Sequence, residues 1–159
     1  MTLRYTHRAF PIVLLRAREA FMMHLRPVIA EHGCTEQQWR VLRILDESGP
    51  FDATALSARA CLLTPSMTRI LKALEERGLI TRKQDGKDSR RLKIDISAKG
   101  RKLIASASPA IEAVYARLES AYGVEKMEAL LGMLEELALI GEGARGEEGD
   151  EADLESAAA

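Results

Sequence analysis

Residues 51–104 change periodicity in an order that few folds accommodate. FDATALS (51–57) opens a short helix, and Ala60-Cys61-Leu62-Leu63 makes a tight apolar bend. TPSMTRILKALEERG (64–78) then repeats apolar residues at helical spacing. Two β-like runs, LITRKQD (79–85) and RRLKIDI (90–96), flank the charged turn GKDS (86–89). Helix, turn, helix, strand, basic turn, strand is the order of a winged helix-turn-helix. The second helix of such a unit has the dimensions to enter the major groove of DNA.

Local signals within 64–78 agree with that assignment. Thr64 is a good N-cap, and Pro65 follows where its missing N–H costs nothing. Met67, Ile70, Leu71 and Leu74 make one apolar face, and Gly78 stands where a left-handed C-cap needs it. The opposite face carries Ser66, Thr68, Arg69 and Lys72. Arginine bonds both acceptors of guanine at once, so Arg69 is the candidate for base readout. Thr64, Ser66, Thr68 and Lys72 are candidates for positioning contacts along the backbone.

From Arg59 to Lys102 there are 13 Lys or Arg against 5 Asp or Glu. Arg82, Lys83, Lys87, Arg90 and Arg91 surround a turn too polar to be core. An exposed arginine at a hairpin tip fits the narrow, negative minor groove, and Asp88 is placed to hold Arg90 extended. A solvated surface hairpin is the plainer interpretation of such a turn, and its position directly after the helical pair weighs against it.

The run Asp85-Gly86-Lys87-Asp88-Ser89-Arg90-Arg91 resembles the Asp-x-Arg-Asp-x-Arg wing signature of MarR-type transcription regulators. Lys87 stands where that signature has arginine, which keeps the charge and loses the planar fork. The resemblance spans about residues 8–140, and TEQQWRVLRIL (35–45) is similar to regulators of homoprotocatechuate (4-hydroxyphenylacetate) catabolism. It implies a mainly α fold: a winged helix-turn-helix with a two-stranded β-wing, and terminal helices forming a dimerisation region. It also implies a homodimer on a palindromic operator, and repression relieved by a small aromatic carboxylate.

The rest of the chain supports a single domain over 1–140, with dimerisation helices at 8–34 and 98–140 around a DNA-binding lobe at 35–97. Phe10, Leu14, Ala17, Phe21, Leu25 and Val28 form an amphipathic seam over 8–31, with Pro27 predicted to kink or break it. Thr35 and Gln38 have the spacing of a capping box. Ser97 is placed to cap a helix bent at Pro109, and Met127, Leu130, Leu131, Leu134 and Leu137 line up beyond Gly123. These terminal helices carry more apolar surface than a small winged lobe covers, which a second copy would satisfy. Residues 141–159 hold seven acidic residues and Arg145, and their composition predicts no regular structure. No segment reaches the ~18 apolar residues of a membrane span, and PIVLL is too short for a secretory leader. Cys34 and Cys61 are isolated, with no metal-ligand spacing between them, and a reducing cytoplasm is the default expectation.

No residue set predicts an enzyme, a metal site or a cofactor: His7, His24 and His32 lack ligand-spaced partners. Cys34, beside a helix start, leaves a redox-responsive regulator as an alternative. Cys61, in an apolar turn, is predicted to be a small core residue. A winged helix used as a protein-interaction scaffold is the other alternative, and the basic wing discriminates against it. For the effector, Arg16 shares a stripe with Ile12, Ala20 and Met23 and is the candidate carboxylate ligand, with an ion pair at the dimer seam as its plainer role. Met22, Met23 and Trp39 are candidate apolar walls. Arg43 and Arg40 are competing anion ligands, with Glu47 and Glu36 placed to pair with them.

Overall fold

Local sequence signals fix most of the element ends. In the computed structural model, which describes the backbone of residues 9–84 and 92–157, the order is α1 Phe10–Glu31, α2 Glu36–Ser48, α3 Ala53–Arg59, α4 Thr64–Glu76, β1 Ile80–Gln84, β2 Leu92–Ile96, α5 Ala98–Tyr122 and α6 Val124–Ala157. The capping box starts α2: Gln38 N donates to Thr35 Oγ1 at 3.2 Å, and Thr35 N donates to Gln38 Oε1 at 3.0 Å. Asp52 caps α3 by accepting from Ala55 N at 2.8 Å. Gly78, at φ 68°, ends α4 in a Schellman motif. Its N–H reaches Glu75 O at 2.8 Å, and that of Leu79 reaches Leu74 O at 2.9 Å.

The wing is antiparallel, pairing Ile80 with Ile96, Arg82 with Ile94 and Gln84 with Leu92. Phe51 adds a bridge to Ile94, with N–O distances of 3.1 and 2.8 Å in the two directions. The core lies where α2, α3, α4 and the wing meet: Val41, Leu42, Leu45, Leu56, Met67, Leu71, Leu74, Leu79, Ile80, Ile94 and Ile96 are buried. The expected apolar face of α4 is therefore the buried one. Ser97 closes the wing against the next helix, donating to Gly78 O at 2.7 Å and accepting from Gly100 N at 3.0 Å. A Cβ on Gly100 would lie 2.3 Å from Leu79 O, so α5 meets the strand ends only because that residue is glycine.

Several expectations need correction. Leu63, not Thr64, is the N-cap of α4, and no side chain caps that end. Thr64 and Pro65 are both inside the first turn, because the chain turns helical one residue earlier than the capping preference of threonine suggests. Helix α1 runs through Pro27, so of the kink or break expected there the break is absent, while α5 includes Pro109 within one helix, as expected. Both prolines are exposed, so the carbonyl each leaves unpaired one turn back has access to water. Cys61 is exposed, at φ 50°, rather than core: the bend turns it outward while Ala60 and Leu56 fill the interior. Helix α6 continues to Ala157, through the acidic stretch whose composition predicts no regular structure; its Glu and Ala are strong helix formers.

The chain divides into two units, Met1–Val114 and Tyr115–Ala159, with the boundary inside α5. In the first, α1 buries Leu25 and Ile29 and leaves Phe10, Ile12, Val13, Leu15 and Met23 exposed. In the second, Leu131, Met133, Leu137, Leu139 and Ile140 of α6 are exposed.

Candidate nucleic-acid interface and anion site

Burial of Met67, Ile70, Leu71 and Leu74 fixes the rotation of α4 and turns its other side outward. Thr64, Thr68, Arg69 and Lys72 are exposed there, and Ser66 is half-buried. Lys72 lies 4.0 Å from Glu76 and stays largely in solvent. The Thr68 hydroxyl donates to Thr64 O at 3.1 Å, so it faces its own helix and must rotate to reach a phosphate. Arg82 of β1 pairs with Glu75 of α4 at 3.0 Å, tying the wing to this helix. Lys87, Asp88, Arg90 and Arg91 lie outside the described residues.

A groove of about 340 Å³ runs beside α4, lined by Ser66, Arg69, Ile70 and Ala73 on one side and by Thr35, Gln37 and Gln38 of the α2 start on the other. The α2 residues are an addition to the sequence assignment. Their signal was the capping box, which marks a helix start but does not say which surface it adjoins.

The anion-site candidates lie on α1 and α2, which pack on each other. Arg16 is exposed and has no ion pair among the described residues. Met22 is half-buried, Met23 exposed, and Trp39 buried to 9% exposure. Arg43, one turn after Trp39, pairs with Glu47. Arg40 is committed twice, to Glu36 Oε1 at 2.8 Å and to Ala60 O at 2.9 Å. No hydrogen bond or ion pair among the described residues joins Arg16 to Trp39 or Arg43, and none of the six candidates lines the groove beside α4.

The charged contacts between α1 and α2 centre instead on Glu36. Arg18, Arg26 (3.0 Å) and Arg40 (2.8 Å) all bond to it, and Glu19 bonds Arg18 and Arg26 at 2.7 Å each. The Arg26 hydrogen bond, then the charges of Arg26 and Arg18, hold the Glu19 carboxyl below its ordinary range. Among the described residues no His, Cys, Asp and Glu cluster has metal-site geometry. Cys34 is buried, with Arg77 Nη1 3.8 Å from its Sγ. No described helix is long and apolar enough to cross a membrane.

A helical pair with one exposed basic face, closed by a two-stranded wing, defines a winged helix-turn-helix transcription regulator. The comparisons with known proteins agree. A model described as "MarR family" matches residues 34–92. The homoprotocatechuate degradative operon repressor of Escherichia coli is 42% identical over 135 residues, covering 85% of this chain and 91% of that protein. Among solved structures, NadR in complex with 4-hydroxyphenylacetate is 38% identical, with TM-score 0.77 over 87% of this chain and 98% of that one. The repressor CouR bound to a 23-mer DNA duplex is 27% identical, with TM-score 0.75 over the same shares. The chain belongs to the MarR family of transcription regulators, whose members bind DNA and are not enzymes.

Proposed function

We propose that this protein is a dimeric, cytoplasmic repressor of an aromatic-acid catabolic operon, released from its operator by a phenylacetate-type ligand. The observation that carries the DNA half is the exposed face of α4, where Arg69 stands beside Ser66, Thr68 and Lys72 with the wing held alongside by Arg82. In this reading Arg69 contacts a guanine edge, and Thr64, Ser66, Thr68 and Lys72 contact backbone phosphates. Lys87, Arg90 and Arg91 of the wing reach the adjacent minor groove, with Asp88 orienting Arg90.

Two copies pair through residues 8–34 and 98–140. The exposed apolar side chains of α1 and of α6 support that pairing, since each would otherwise stay in water. A two-fold dimer then matches a palindromic operator. Residues 35–97 form the DNA-binding lobe, and 141–159 an acidic extension.

The effector reading is supported by the 4-hydroxyphenylacetate found on NadR and by the operon that the E. coli relative represses. Arg16 is the carboxylate ligand, with Met22, Met23 and Trp39 against the ring and Arg43 as a second anion contact freed from Glu47. Ligand and DNA then oppose each other by the same factor in both directions. The test is titration of operator complexes of the wild type, Arg16→Ala and Arg43→Ala with 4-hydroxyphenylacetate and homoprotocatechuate. The expected result is loss of release in Arg16→Ala with unchanged operator affinity in the absence of ligand. Equal release in wild type and Arg16→Ala moves the carboxylate to Arg43. Loss of dimer and operator binding together assigns Arg16 a structural role.

A further inference from the structure

Leu63 is the most exposed large apolar side chain among the described residues, at 78%. Most of the other exposed apolar side chains of this size lie on α1, α5 and α6, where a second copy has been invoked to cover them. Leu63 lies elsewhere, at the N-cap of α4, in the turn between the two helices of the DNA-reading pair.

The position is unfavourable for leucine on both local counts. An N-cap side chain should accept a hydrogen bond from the first turn, and leucine has nothing to accept with. The cap geometry itself is in place: φ −70°, ψ 144°, with Met67 N donating to Leu63 O at 3.0 Å. Serine or aspartate would fit the same backbone and supply the missing acceptor. The apolar side chain gains little from burial either, because it points into water. A residue that breaks two local rules with no return inside the fold points to a contact outside it.

The surroundings specify that contact. Thr64, Thr68 and Arg69 are exposed on the same helix within two turns. In a helix that enters the major groove, the N-terminal residues meet the base edges. The one apolar group that bases present there is the 5-methyl of thymine, which aliphatic side chains contact. We propose that Leu63 reads a thymine methyl group in each operator half-site and is a specificity-determining residue beside Arg69. The inference rests on the DNA-binding reading above.

The test uses the full-length protein and a palindromic duplex selected with it from random-sequence DNA. Each thymine is replaced in turn by deoxyuridine, which lacks only the methyl group. At one position per half-site the wild type should lose about fourfold in affinity per methyl removed, the worth of one buried methyl-sized group. Leu63→Ala should bind the thymine duplex correspondingly more weakly and be indifferent to deoxyuridine at that position. It should respond like the wild type at every other thymine. Leu63→Ser, which restores a cap, should melt at or above the wild-type temperature while losing the same discrimination. If wild type and Leu63→Ala respond alike at every thymine, the inference fails while DNA binding stands. A marked drop in melting temperature for both variants would give Leu63 a structural role and overturn it as well. Selection of no duplex at all would refute the DNA-binding reading, and this inference with it.

Discussion

Glu36 is where a single substitution should act furthest beyond its own helix. Its carboxylate is bonded by Arg18 and Arg26 from α1 and by Arg40 from α2, and its side chain is only 19% exposed. The Arg40 pair runs in the favoured Glu-to-Arg direction at i,i+4 and contributes about 0.2–0.5 kcal/mol. The α1 contacts are charge-assisted bonds between elements at a mostly covered acceptor, of the kind that contribute about 1.5–3 kcal/mol when removed. The half-exposed guanidinium groups reduce that figure through solvent screening. Glu36→Ala should therefore cost about 1–3 kcal/mol and leave three arginines facing one another. For a chain of this size that is a fall in melting temperature of about 2–12 °C. Urea unfolding of wild type and variant, repeated at low and high salt, measures it, and the difference should narrow only partly as salt rises. A variant as stable as the wild type at low salt would refute the argument that this carboxylate holds α1 to α2.

Other substitutions test the remaining assignments. Arg69→Ala should cost ~1–3 kcal/mol of operator binding and relax preference at one base pair per half-site, whereas Arg90→Ala should weaken binding chiefly at A·T-rich flanks; competition binding against substituted duplexes separates the two. Gly100→Ala should cost about 2–4 kcal/mol, because the added carbon meets backbone rather than a side chain that can move, and thermal unfolding reads it. Since the Glu19 pKa is lowered on folding, its ion pairs with Arg26 and Arg18 are fully present above the unfolded carboxylate value and lost as pH falls through the lower folded one. Glu19→Gln should therefore flatten the acid side of the stability profile below about pH 5 and leave neutral pH nearly unchanged. Exposed Cys61 should react with iodoacetamide faster than buried Cys34, and operator DNA should slow it, as peptide mapping would show.

The parts legible in the sequence are those set by neighbours in the chain. The Thr35–Gln38 box, the Gly78 turn, the Ser97 cap and the buried face of α4 each depend on residues within a few positions. Elsewhere two local rules compete or the determinant is distant in the chain. Threonine before proline suggested a cap at Thr64, but the backbone turns helical at that residue and leaves the cap to Leu63. Apolar neighbours suggested burial of Cys61, but a tight bend reverses the chain and turns it outward. The Glu36 cluster joins residues 10 and 18 positions apart across two helices, which no periodicity reports. The same holds for the groove that brings Gln37 beside Arg69.

The most direct test of a DNA-reading winged helix is the salt dependence of duplex binding by the full-length protein. Fluorescence anisotropy with the selected palindrome should show one dimer per duplex and an affinity that falls about 10³-fold or more between about 50 and 200 mM salt, as the basic helix and wing displace condensed counterions. A change of less than about threefold over that range would contradict it, because a protein held by phosphates cannot be indifferent to the ions it displaces.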